Sequence, residues 1–91
     1  MEIRVHLFSI LRDVLPPEAN RGQATITLPE GATLADLIVH LGIDTYLGFS
    51  PEGVIEEAGW QVNVAGKFGA TADRVLNDGD TVLMMPHVSG G

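Results

Sequence analysis

The chain has 91 residues, with twelve acidic side chains against five basic ones, a net charge of −7, and 45% hydrophobic against 19% charged residues. That length makes one domain, 1–91, which buries about 60–65% of its unfolded surface: room for one modest core and none for a second catalytic domain. The apolar fraction argues for a globular fold, and the acidic balance disfavours nucleic acid and anionic membrane as partners and favours a basic protein surface.

The sequence contains no cysteine, which excludes a disulfide framework, a zinc-thiolate site and a cysteine nucleophile; sulfur chemistry here needs imported sulfur. Met1-Glu2-Ile3-Arg4-Val5 lacks the basic start and long apolar stretch of a signal peptide, and no apolar run approaches the ~20 residues that span a membrane. The expected location is the cytoplasm.

Ile3, Val5 and Leu7 alternate with Arg4, His6 and Phe8, the period-2 pattern of a strand with one face in the core; Arg4 and His6 then point away from it. Leu11, Val14 and Leu15 follow in a short helical turn that Pro16-Pro17 ends. A second strand is expected over 24–28, closed by Pro29-Glu30-Gly31. Thr33 opens the clearest helix: with Asp36 it forms a capping box, Leu34, Leu37, Ile38 and Leu41 share one face, and Gly42 is a natural terminator. His40, one turn after Asp36, reads as a surface residue at the helix end, since no second histidine or carboxylate cluster offers a metal site.

Residues 43–59 show no clear period and are expected to lie over the core as an insertion, with Ser50-Pro51-Glu52 as a possible helix start that Gly53 weakens. Trp60, Val62 and Val64 alternate again, and Ala65-Gly66 turns a hairpin into Lys67-Phe68. Leu76-Asn77-Asp78-Gly79-Asp80 leads into a final strand over 81–85, apolar on successive residues, as for a central strand buried on both faces. Strand, strand, helix and further strands form an α+β pattern with one main helix over a mixed sheet. Parallel pairing of the first and last strands would make it a β-grasp.

The chain ends Pro86-His87-Val88-Ser89-Gly90-Gly91. Proline lacks an N–H, so Pro86 stops the strand and frees a flexible tail, 86–91, that spans about 20 Å when extended. Gly90 and Gly91 have no Cβ and fit a narrow channel, which leaves the terminal carboxylate to do chemistry. Chain ends are commonly frayed; this one gains weight because it follows a proline and an apolar strand with no polar linker between.

These residues resemble the ubiquitin-like sulfur carriers of the MoaD/ThiS family, and among them most the small subunits of molybdopterin synthase. The resemblance rests on Ile3-Arg4-Val5-His6-Leu7-Phe8 with Leu11-Arg12, the helix over 33–41, Val62-Asn63-Val64-Ala65-Gly66, Leu76-Asn77-Asp78-Gly79-Asp80-Thr81-Val82, and the ending, close to the family's Pro-Pro-Val-Ser/Thr-Gly-Gly. It implies a carrier that is non-catalytic alone. An E1-like adenylating enzyme, using ATP, activates the carboxylate of Gly91; a sulfur donor converts it to a thiocarboxylate; and the tail then enters the large catalytic subunit, where the sulfur attacks a pterin precursor in molybdenum or tungsten cofactor synthesis. No bound cofactor or metal is implied.

By matching positions, Phe8, Phe68 and Met85 form the apolar patch that docks the large subunit, and Pro86, His87, Val88 and Ser89 lie in its channel; the plainer alternative is that Phe8 and Phe68 pack the core edge. Arg12 and Asp80 match recurrent positions that serve either the adenylating partner or the fold. Two departures stand out: His87 replaces the usual second proline, and the 43–59 insertion carries Tyr46, Leu47 and Phe49. The alternatives to a pterin acceptor are the thiamin thiazole, a tRNA base, a ubiquitin-like modifier joined to target lysines, and an interaction module with an inert tail.

Overall fold

The computed structural model describes residues 1–16 and 19–86. Five strands form one sheet in the order β2-β1-β5-β3-β4: β1 (Glu2–Leu7), β2 (Gln23–Thr27), β3 (Gln61–Val64), β4 (Lys67–Phe68) and β5 (Thr81–Met85). β1 pairs antiparallel with β2 and parallel with β5, and β5 pairs antiparallel with β3. The parallel pairing of first and last strands at the sheet's centre is therefore present. Pro86 follows directly on the end of β5, as its missing N–H requires.

The alternation in β1 resolves as expected: Ile3, Val5 and Leu7 are fully buried. Over them lies α1 (Leu34–Leu41), with Leu34, Leu37 and Ile38 at 0% exposure, each contributing about 1.5–3 kcal/mol by burial. The capping box that starts α1 is formed: the Asp36 N–H donates to Thr33 Oγ1 at 3.3 Å, and the Thr33 N–H donates to Asp36 Oδ2 at 2.9 Å. His40 is exposed in its last turn.

Gly42, at φ 76°, ends α1 in the left-handed region and at once starts α2 (Ile43–Leu47); a side chain there would be strained. After a second turn, Ser50 caps α3 (Pro51–Glu56), its Oγ accepting from the Gly53 N–H at 3.1 Å. Residues 43–59 are thus largely helical and belong to the core, with Ile43 and Val54 fully buried. The expectation of an insertion laid over the core is corrected. Helices of five and six residues are too short to show a period, and Gly53 is buried where α3 packs.

The last strand is corrected as well. Val82 and Met84 are fully buried, but Thr81, Leu83 and Met85 are half-buried. The buried residues of β1 and β5 alternate with these, whereas in β3 Val62, Asn63 and Val64 are buried in succession; among the described residues the helices back one face of the sheet only.

Candidate functional site: the open face of the sheet

Strand alternation and register assemble this face. His6 is opposite Leu83, Leu83 opposite Asn63, and Asn63 opposite Phe68, which makes one row across four strands. Met85 lies opposite Gln61, one row on. The Phe8 N–H donates to the Met84 carbonyl at 3.1 Å, which carries Phe8 past the end of β1 to the side of Met85. Phe68 is 63% exposed, whereas Phe8 and Met85 are half-buried. None of the three belongs to the buried core cluster or to the half-buried residues packed against it. The His6 ring stacks on Phe8 with centroids 4.2 Å apart and planes inclined by 27°, an offset aromatic contact that fixes the Phe8 ring.

The structure thus brings Phe8 and Met85 side by side and places Phe68 in the adjoining row. Reading the sequence missed Leu83, the apolar centre of the row, and the part His6 plays in holding Phe8. The signal for Leu83 lies in the successive apolar residues of 81–85, which by themselves suit a strand buried on both faces as well as one that presents an apolar open face. Pro86 stands at the end of β5 beside this face; His87, Val88, Ser89, Gly90 and Gly91 lie outside the described residues.

Asn63 is a buried polar side chain, 6% exposed, and its Oδ1 accepts from the Gly66 N–H at 3.0 Å. That bond closes the Ala65-Gly66 turn, whose residues both have positive φ, 52° and 88°, the geometry of a two-residue hairpin turn. Asn63 therefore aims β4, and with it Phe68. A cleft of about 640 Å³ opens beside β4, lined by Ile55, Trp60, Val62, Phe68 and Ala70 among others, with Trp60 mostly buried at its base.

The other two matched positions, Asp80 and Arg12, make hydrogen bonds within the fold. Asp80 Oδ2 accepts from the Asn77 N–H at 2.9 Å, and the Asp80 carbonyl accepts from the Arg4 N–H, so this loop locks the entry to β5. Arg12 Nε donates to the Ser9 carbonyl at 3.4 Å within the 3₁₀ segment Ser9–Val14. Among the described residues no cluster of His, Cys, Asp or Glu is arranged to hold a metal ion, and no helix is long and apolar enough to cross a membrane.

A mixed sheet of order 2-1-5-3-4 with a parallel central pair and a helix across one face is the ubiquitin-like β-grasp. The ThiS family model matches residues 5–91, and the chain belongs to that family of ubiquitin-like sulfur carriers. Three solved structures illustrate the likeness. A protein provisionally assigned as molybdopterin converting factor subunit 1 from Pyrococcus furiosus is 25% identical, over 96% of this chain and 98% of its own, with a TM-score of 0.64. Small archaeal modifier protein 1 from Haloferax volcanii is 20% identical over 96% and 98%, TM-score 0.63. A complex of subunits 1 and 2 of molybdopterin-converting factor from Helicobacter pylori 26695 matches at 22% identity over 100% of both chains, TM-score 0.57. Below 25% identity the shared property is the fold. No curated protein matches the chain.

Proposed function

We propose that this chain is the sulfur-donor subunit of a molybdopterin synthase, with the carboxylate of Gly91 as its reacting group. The observation that carries the reading is the apolar open face of Phe8, Leu83, Met85 and Phe68, continuous with the strand that ends at Met85, directly before Pro86 and the segment that closes on Gly90 and Gly91. Such a face, left uncovered by the fold, fits a partner that receives the segment 86–91. The Pyrococcus furiosus relative and the Helicobacter pylori two-subunit complex support the same choice.

The chemistry proceeds in three steps. A carboxylate oxygen of Gly91 attacks the α-phosphorus of ATP in an adenylating partner, releasing pyrophosphate and leaving an acyl-adenylate. A donor supplies sulfur at the sulfide level, which attacks the carbonyl carbon and displaces AMP, giving the thiocarboxylate. In the large subunit the thiocarboxylate sulfur attacks a carbon of the pterin precursor and displaces an oxygen substituent from it; water then cleaves the resulting thioester at its acyl carbon, leaving the sulfur on the pterin and returning the Gly91 carboxylate. A thiolate-type sulfur is a strong nucleophile at neutral pH, and a chain without cysteine holds no internal thiol to intercept the activated carbonyl.

The test is the intact mass after incubation with ATP, a sulfur source and the host's adenylating enzyme. We expect a gain equal to one oxygen replaced by sulfur, absent when Gly91 is deleted. No gain, with that enzyme competent on another carrier, defeats the proposal. The likeness to a small archaeal modifier favours a second reading, in which Gly91 forms isopeptide bonds with lysines. Heavier, thiol-resistant bands on denaturing gels would identify it.

A further inference from the structure

Beside the apolar row, the open face contains a second feature that apolar docking does not use. A cleft of about 380 Å³ is lined by Arg4, His6, Gln23, Thr25, Thr81 and Leu83, together with two small apolar residues. Strand register builds it: Arg4 is opposite both Thr25 and Thr81, and His6 opposite both Gln23 and Leu83. Its rim is therefore a guanidinium, an imidazole, an amide and two hydroxyls, all able to donate hydrogen bonds. No carboxylate lines it, in a molecule with twelve acidic side chains. Glu2 shares the face further along β1, yet the Arg4 guanidinium forms no ion pair among the described residues. Leu83 belongs to both the cleft and the apolar row, and His6 reaches from the cleft to stack on Phe8.

We propose that this cleft is a socket for an aspartate or glutamate side chain of the docking partner, presented next to the apolar residues that cover Leu83 and Phe8. The proposal rests on the docking function assigned to this face, and it gives the partner a local charge opposite to the one that the net charge of −7 calls for. A guanidinium with adjoining donors suits a carboxylate in geometry as well as charge. A rim carboxylate flanking an apolar contact fixes register and excludes partners that place a lysine or arginine there. Long-range attraction to a basic partner and a short-range acidic contact are compatible, because the first acts over a Debye length, about 8–10 Å, and the second within hydrogen-bond reach.

The test measures binding of the full chain to the host's large subunit of molybdopterin synthase, by calorimetry at low and moderate salt, with folding checked by circular dichroism. Arg4→Glu is compared with Arg74→Glu, which changes the net charge equally from a position outside the socket. Arg4→Glu is expected to weaken binding at least tenfold and Arg74→Glu less than twofold, and an acidic-to-arginine substitution in the partner should restore the Arg4→Glu variant. Equal effects of the two reversals, or no effect of either, overturn the socket. Leu83→Asp separates the two levels. If it abolishes binding while Arg4→Glu does not weaken it, docking on this face stands and the socket falls; if binding survives Leu83→Asp, both fall.

Discussion

Asn63 shows how one side chain connects the hairpin to the open face of the sheet. Its amide is buried in a row otherwise made of His6, Leu83 and Phe68, and it is accounted for by the 3.0 Å bond from the Gly66 N–H. Asn63→Ala removes the acceptor, while the exposed Gly66 can turn its N–H to water, so the loss falls at about 1–2 kcal/mol, near the low end of the range for such bonds. Urea denaturation should show that decrease. Because the turn aims β4, the proposed binding of the large subunit should weaken for Asn63→Ala and for Phe68→Ala alike. An unchanged midpoint would mean that Ala65 and Gly66 hold the turn unaided. The asparagine was legible as part of Val62-Asn63-Val64-Ala65-Gly66, but its role was not, since an alternating strand places a polar residue at that position with or without a turn to close.

At the scale of elements, the helices differ in how the sequence announces them. The start of α1 follows from chemistry within four residues, the Thr33–Asp36 capping box, and was legible for that reason. α2 makes a contact distant in sequence. The Tyr46 hydroxyl donates to Asp13 Oδ2 at 3.2 Å, tying α2 to the 3₁₀ segment after β1. Desolvation, the hydrogen bond to Asp13 and the Asp13 charge, in that order, raise the pKa of Tyr46 above its usual value of 10.0. A raised pKa means that the folded state holds the phenolic proton more tightly than the unfolded state. The stabilisation is therefore complete below the unfolded value and lost as pH rises through the folded one. Against Tyr46→Phe, which keeps the ring and lacks the proton, the wild-type chain should lose urea midpoint more steeply above pH 10. Parallel curves for the two proteins would show that the tether contributes nothing to folding.

For the molecule as a whole, one core unites the sheet and all three helices, including Ile43 in α2 and Val54 in α3. Met84, fully buried in the central strand, lies in that core, and Met84→Ala should cost about 2–5 kcal/mol, with fluorescence and circular dichroism losing structure in a single transition. Separate transitions for the two probes would show that the helical stretch folds apart from the sheet.

The sequence by itself determined what depends on neighbouring residues: the alternation of β1, the cap and apolar stripe of α1, the Ala65-Gly66 turn, the stop at Pro86 and the motifs that carry the family. Only the tertiary structure decided which apolar residues are core and which are surface. Val82, Leu83, Met84 and Met85 are chemically alike along the chain, and they part company because Val82 and Met84 face the core shared with the helices, while among the described residues no helix covers the other face of β5. The grouping of Arg4, His6 and Phe8 with Leu83 and Met85 has the same origin. More than seventy residues separate the two strands, and their parallel pairing is fixed by the packing of everything between them rather than by any local preference.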